Sequence, residues 1–230
     1  KSQGITDFVL DLRYNSGGSV ATATRLASML TGQFNGQVFA KQQWNAKAEA
    51  YYSSNNASSL YNYFTTSINT NATINSLNLS NIYILTSNKT ASASELIING
   101  LKPYINVVQI GDVTTGKNVG SITLYDSPTF TKKNRNPNHR YAMQPLVFKI
   151  VNKVGFGDYV NGLEPNTLLK EDLLNLGVLG IEEPLLNSAI DRITGSGRKA
   201  PQPLVKDYEN VIDNLPLNIL KTEMYVDELP

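Results

Sequence analysis

Cysteine is absent from the 230 residues. That excludes disulfides, thiolate zinc sites and a cysteine nucleophile, and it leaves the redox compartment open, because oxidising and reducing locations both tolerate the absence. Histidine is nearly absent too: His139 stands alone, so imidazole metal chemistry is limited and any Ser-His triad would have to use that residue. No run is long and apolar enough to span a bilayer, and no signal peptide is visible. An excess of one charge is also lacking. With 20 Lys and Arg against 19 Asp and Glu the net charge is +1, and nothing points to nucleic acid or an anionic membrane surface. What is present, 41% hydrophobic and 17% charged residues, can bury a substantial core as one large domain or two small ones. The chain begins at Lys1-Ser2-Gln3, a few residues before a strand. The expectation is a fragment whose true N-terminus, with any targeting signal, lies upstream.

One stretch organises the rest: Ile84 to Ile98 reads as an apolar strand, a short polar loop, and small residues opening an apolar helix. A serine at the mouth of a helix is held rigidly beside exposed backbone N–H groups, which is where an acyl-transfer enzyme puts a nucleophile. On this stretch alone the plainer reading is that Ser92 is only an N-cap, a position serine fills well.

Upstream, Ile5 to Leu12 reads as a buried strand. It runs into Asn15-Ser16-Gly17-Gly18, a tight turn with exposed N–H groups, and then a helix over Val20 to Leu30 that Gly32 ends. The Gly-Gly turn could cradle phosphate, donate to an oxyanion, or be structural only. It lacks the Lys-Ser/Thr of a P-loop and the spaced glycines of a dinucleotide site. A strand over Gly36 to Trp44 precedes a polar Asn/Ser/Thr-rich excursion, Asn45 to Ser80, with a short helix and scattered aromatics that either touch a substrate or anchor the loop. Then follow the strand Asn81 to Thr86, the helix Ser92 to Leu101 stopped by Pro103, and the strand Asn106 to Ile110. Beyond a glycine-punctuated loop presenting Lys117, strands are expected at Ser121 to Leu124 and Met143 to Asn152, and helices at Leu168 to Leu176 and Glu182 to Ile193, the latter opened by acids and proline. The alternation argues for an α/β fold with a largely parallel sheet.

Three Gly- or Ser-rich turns thus follow buried strands: 15–18, 90–95 and 114–121. In parallel sheets such turns gather at the carboxyl ends of the strands. Together they offer a serine, a lysine and two sources of backbone N–H, the parts of a Ser-Lys hydrolase. The combination resembles the C-terminal processing (tail-specific) serine peptidases. Asp11 to Gly18 is similar to that family's D-L-R-x-N-x-G-G segment, Ala91 to Glu95 to its A-S-A-S-E segment, and Gly116-Lys117 after Ile110-Gly111 to its lysine loop. The interval from Ser92 to Lys117, 117 − 92 = 25 positions, fits as well. The resemblance covers roughly Ile5 to Ile193. It implies a ClpP/crotonase-like α/β core, a mostly parallel sheet flanked by helices. It also implies Ser92 as nucleophile, Lys117 as general base, and the N–H groups of Gly18 and Ala93, beside Gly17, as oxyanion hole. No metal or organic cofactor is implied. The implied substrate is a polypeptide, cut near its C-terminal region, in a bacterial cell envelope, periplasmic or surface-anchored. The expected organisation is a core over 1–195 with a polar insertion at about 45–80, and a C-terminal extension over 196–230 packed on it. The family's PDZ module and N-terminal segments are absent from this chain.

Departures are visible. Where the family often carries a glutamine four positions past the lysine, this chain has Ser121, a shorter acceptor that could still support Lys117. The excursion lengthens the gap from Gly18 to Ser92. Together with the Gly162-Leu163-Glu164-Pro165 loop, it is similar to a subset from envelope proteins of Bacteroidetes-type bacteria. Relatives with a histidine base exist, but His139 lies in a polar Asn-Pro-Asn-His-Arg loop and reads as solvated. Ser94 lies about 200° round a helix from Ser92, so both serines cannot face one substrate. Glu95 reads as a first-turn acid favoured by the helix dipole. Two other readings share the scaffold: a catalytically inactive peptide-binding pseudopeptidase, and a crotonase-type acyl-CoA enzyme.

Overall fold

The computed structural model describes residues 1–68, 70, 72–178, 180, 182–196 and 223–227. In chain order the elements are β1 (Val9–Asp11), α1 (Val20–Thr31), β2 (Val38–Trp44), α2 (Ala46–Asn55), a 3-10 turn (Ala57–Leu60), β3 (Tyr61–Tyr63), β4 (Asn81–Thr86), α3 (Ala93–Leu101), β5 (Asn106–Gly111), β6 (Val119–Ile122), β7 (Leu124–Tyr125), β8 (Ala142–Met143), β9 (Leu146–Asn152), β10 (Thr167–Leu168), α4 (Pro184–Thr194) and β11 (Met224–Val226). Most of the expected extension, 197–222, lies outside the described residues, as do 228–230.

The first sheet is wholly parallel, in the order β1-β4-β5-β10. Its register sets Leu10 beside Ile84 and Leu85 beside Ile110, so the loops leaving β1, β4 and β5 emerge side by side at one edge. A second sheet, β11-β6-β9-β2-β3, is antiparallel apart from the β11–β6 pair. Between the sheets run α1 and α3. Every residue of α3 is buried because it packs on α1, β2, β5 and β9 at once. Gly100 lets it approach β2 closely, since a Cβ there would strike the ring of Phe39. On the far face of the parallel sheet α4 adds a smaller core of Leu185 and Ala189 against Leu85 and Ile110.

The helix expected at Leu168 to Leu176 does not form. Leu168 ends in β10, and Leu173, Leu174 and Leu176 are exposed. Of its leucines only Leu169 packs on the smaller core, while Glu171 is drawn to Arg13 and Tyr14. The 45–80 excursion supplies more than a loop: β3 pairs with β2, and Leu60, Phe64 and Leu79 are buried. Phe64 meets Phe34, Phe39 and Tyr104 ring to ring, so it is an anchor, whereas Tyr51 is exposed. No helix among the described residues is long and apolar enough to cross a membrane.

Candidate active site

The three turns are tied to one another by short polar side chains. From the β4–α3 loop, Thr90 Oγ1 donates to Leu12 O at 2.7 Å and Ser87 Oγ donates to Arg13 O. Ala91 N donates to Asn15 O at 3.2 Å, and Thr115 N donates to Thr90 O at 2.9 Å. Ser94 Oγ donates to Asn15, 2.8 Å from Oδ1 and 3.0 Å from the carbonyl. Ser94 therefore fastens α3 to the glycine turn.

Ser92 itself is strained and buried. Its φ of 63° and ψ of −117° lie where a non-glycine residue costs of order 1–3 kcal/mol. Its hydroxyl is one of the buried polar atoms without a close hydrogen-bond partner among the described residues, although Ser92 and Glu95 stand in capping-box positions at the start of α3. Gly17, at φ 112°, lies flat against it: a Cβ there would come within 2.6 Å of Ser92 Cβ and 2.9 Å of Ala93 N. Only glycine permits that approach. Gly18 follows at φ 140°. Ala93 begins α3, where helix geometry leaves N–H groups without intrahelical acceptors.

Glu95 joins serine and lysine. Fully buried, its Oε2 accepts from Ser92 N at 2.7 Å and from Lys117 N at 2.8 Å, and its Oε1 accepts from Thr114 Oγ1 at 2.5 Å and Gly116 N at 2.6 Å. The main chains of Ser92 and Lys117 thus share one carboxylate oxygen. The sequence signal for Glu95 was its place three residues after a helix-opening serine; its tertiary role carried no signal. Burial, aided by the nearby Glu95 charge, pushes the Tyr159 hydroxyl well above the ordinary tyrosine range, and that hydroxyl is buried without a partner among the described residues.

Lys117 Nζ meets Glu223 Oε1 at 2.6 Å, with the two side chains 19% and 13% exposed. Glu223 was not a sequence candidate; it lies more than a hundred positions from Lys117, and only the β11–β6 pairing brings it near. Ser121 Oγ donates to Met224 O at 3.3 Å and accepts from Gln144 Nε2 at 3.1 Å, fastening β11 and Gln144 to β6. His139 pairs with Asp126 at 3.1 Å in the β7–β8 connection, a partly solvated loop residue.

The glycine turn is anchored by Arg13, buried among Asp11, Glu171 and Glu183 at 2.6, 2.7 and 3.0 Å. Burial alone would raise the Asp11 carboxyl, but the Arg13 hydrogen bonds and charge outweigh it and hold that carboxyl below its ordinary value. Burial, with the Glu171 hydrogen bond, pushes Tyr14 up to about 12.

The family model described as peptidase family S41 matches residues 1–129. The chain belongs to peptidase family S41. This S41 chain is similar to a solved structure assigned as an S41 protease of Bacteroides fragilis NCTC 9343, at 30% identity and a TM-score of 0.68, over 86% of this chain and 47% of that one. A structure assigned as a peptidase of Parabacteroides merdae ATCC 43184 shares 17% identity and a TM-score of 0.51, over 84% of this chain and 53% of that one. The photosystem II D1 C-terminal processing protease shares 20% identity and a TM-score of 0.48, over 74% of this chain and 36% of that one. The S41 chain therefore spans about half the length of the Bacteroides relative, 47%. No curated protein sequence matches it. Membership in a peptidase family sets aside the acyl-CoA enzyme weighed from the fold alone.

Proposed function

We propose that this chain is the catalytic core of a serine endopeptidase working through Ser92 and Lys117. The observation that carries the reading is Ser92: a buried, strained serine with an unpartnered hydroxyl at the start of α3, pressed against Gly17. A strained serine at a sharp strand-to-helix turn is where a hydrolase places its nucleophile, and here the hydroxyl is covered rather than exposed. Lys117, as neutral amine, takes the Ser92 proton while Oγ adds to the scissile carbonyl. The N–H groups of Gly18 and Ala93 receive the oxyanion, helped by the positive end of the α3 dipole. The lysine then passes its proton to the leaving amine, and water hydrolyses the acyl-enzyme. The family resemblance supports a polypeptide substrate cut near its C-terminal region, and a bacterial envelope location, periplasmic or surface-anchored. It also supports a core over 1–195 preceded by further domains in the whole protein.

A second reading, an inactive peptide-binding pseudopeptidase, is favoured by one observation: the ion pair of Lys117 with Glu223. A fluorophosphonate probe decides between them. Peptidase chemistry predicts an adduct on Ser92, located by mass spectrometry, that is lost in Ser92→Ala and in Lys117→Ala and forms faster as pH rises. A folded chain that takes no label at any pH is the pseudopeptidase result.

A further inference from the structure

β11 is short but held on both edges. Met224 to Val226 pair in parallel with Gly120 to Ile122. On the other side Tyr225 N donates to Gly18 O at 3.2 Å and Tyr225 bridges Ser19. Ser19 Oγ adds a bond to Asp227 Oδ2 at 3.2 Å, and Met224 is buried in the main core. The strand therefore fills the space between the glycine turn and β6. The residue at its entrance, Glu223, comes to rest on Lys117. Its second oxygen, Oε2, is buried without a partner among the described residues, so the carboxylate makes its ion pair through Oε1.

That contact works against the chemistry assigned to Lys117. A lysine ammonium carries three donors and no lone pair, and only the neutral amine can accept the Ser92 proton. A carboxylate at 2.6 Å engages Nζ in a short charge-assisted contact that must be given up before the nitrogen can turn to Ser92. The other ionisable groups nearby are differently engaged. Glu95 is taken up by the main-chain donors of Ser92, Gly116 and Lys117 and by Thr114. Tyr159 stays neutral, its hydroxyl pushed up by burial. Asp227, just past β11, bonds Ser19. Of these groups, Glu223 meets Nζ itself.

We propose that Glu223 is a brake on the dyad, built into the C-terminal strand. With β11 docked, Glu223 ties Nζ into an ion pair, and the serine is activated faster when that contact is lost. The inference rests on the reading of Ser92 and Lys117 as nucleophile and base. It assigns the strand a regulatory role beyond completing the sheet.

The test compares wild type with Glu223→Gln and Glu223→Asp, using two readouts. One is the rate of fluorophosphonate adduct formation on Ser92 from neutral to alkaline pH. The other is the rate at which acetic anhydride acylates Lys117, read by peptide mass spectrometry, which reports the neutral amine whether or not the serine reacts. Glu223→Gln is expected to raise both rates at neutral pH by about tenfold, the scale of one close charged contact removed. Glu223→Asp, which keeps the charge, is expected to stay near wild type, and adding Lys117→Ala to Glu223→Gln is expected to abolish the adduct. Unchanged or slower labelling in a folded Glu223→Gln protein overturns the brake while leaving the dyad standing. Faster acylation of Lys117 with no adduct on Ser92 in any variant overturns the dyad, and the brake with it.

Discussion

Four donors converge on the carboxylate of Glu95, from Ser92, Thr114, Gly116 and Lys117. An ionised carboxyl accepts at both oxygens; an amide accepts at one. Glu95→Gln therefore turns two of those donors towards an NH2 group. Each buried donor left without an acceptor costs about 1–3 kcal/mol, so the variant is expected to lose about 2–6 kcal/mol in urea denaturation. A change under about 0.5 kcal/mol, the range of an ordinary surface substitution, would show that the carboxylate is not the clasp described. Ser92, Gly17 and Gly18 were legible as single residues, because a tight turn and a helix mouth demand those residue types locally. Glu95 was legible only in part. Its bond to Ser92 N is local, three residues along one helix, whereas its bonds to 114–117 depend on β4 and β5 lying side by side.

Among the elements, α3 and the leucine-rich stretch after β10 make the instructive contrast. Both look like apolar helices in sequence. Leu96, Ile98 and Leu101 are fully buried because two sheets and α1 surround them, whereas Leu173 and Leu174 are exposed. Hydrophobic spacing proposes a helix, but burial of the apolar face pays for it. Leu96→Ala is accordingly expected to cost about 2–5 kcal/mol, and Leu174→Ala less than about 0.5 kcal/mol, both read as urea midpoints. Similar costs for the two would mean that Leu174 is covered in solution. β11 is the element that spacing could not reveal: three residues with no periodicity, made a strand by the open edge of β6 and the carbonyl of Gly18.

Across the whole molecule, Arg13 links the glycine turn to the far side of the parallel sheet, since Glu183 caps α4 through the N–H groups of Leu185 and Leu186 while pairing with Arg13. Asp11 completes that link and gives it a pH dependence. Its folded carboxyl titrates below the ordinary value, so its contribution is present above the unfolded value of about 3.9 and is lost as pH falls through the lower folded value. Wild type is expected to lose stability more steeply than Asp11→Asn as pH drops below about 4, measured as urea midpoints against pH; parallel curves would sever Asp11 from the acid response. By itself the sequence determined the parallel α/β core, the order of its main strands and helices, and the three turns bearing Ser92, Gly17-Gly18 and Lys117. Those features follow from apolar periodicity and from turn residues acting over a few positions. The tertiary structure alone decided that Glu95 would clasp serine to lysine, that Arg13 would reach Glu183, and that Glu223 would come to rest on Lys117. Each of these joins residues far apart in sequence that only the packing of strands and helices brings together, and contact between distant elements leaves no local mark in a sequence.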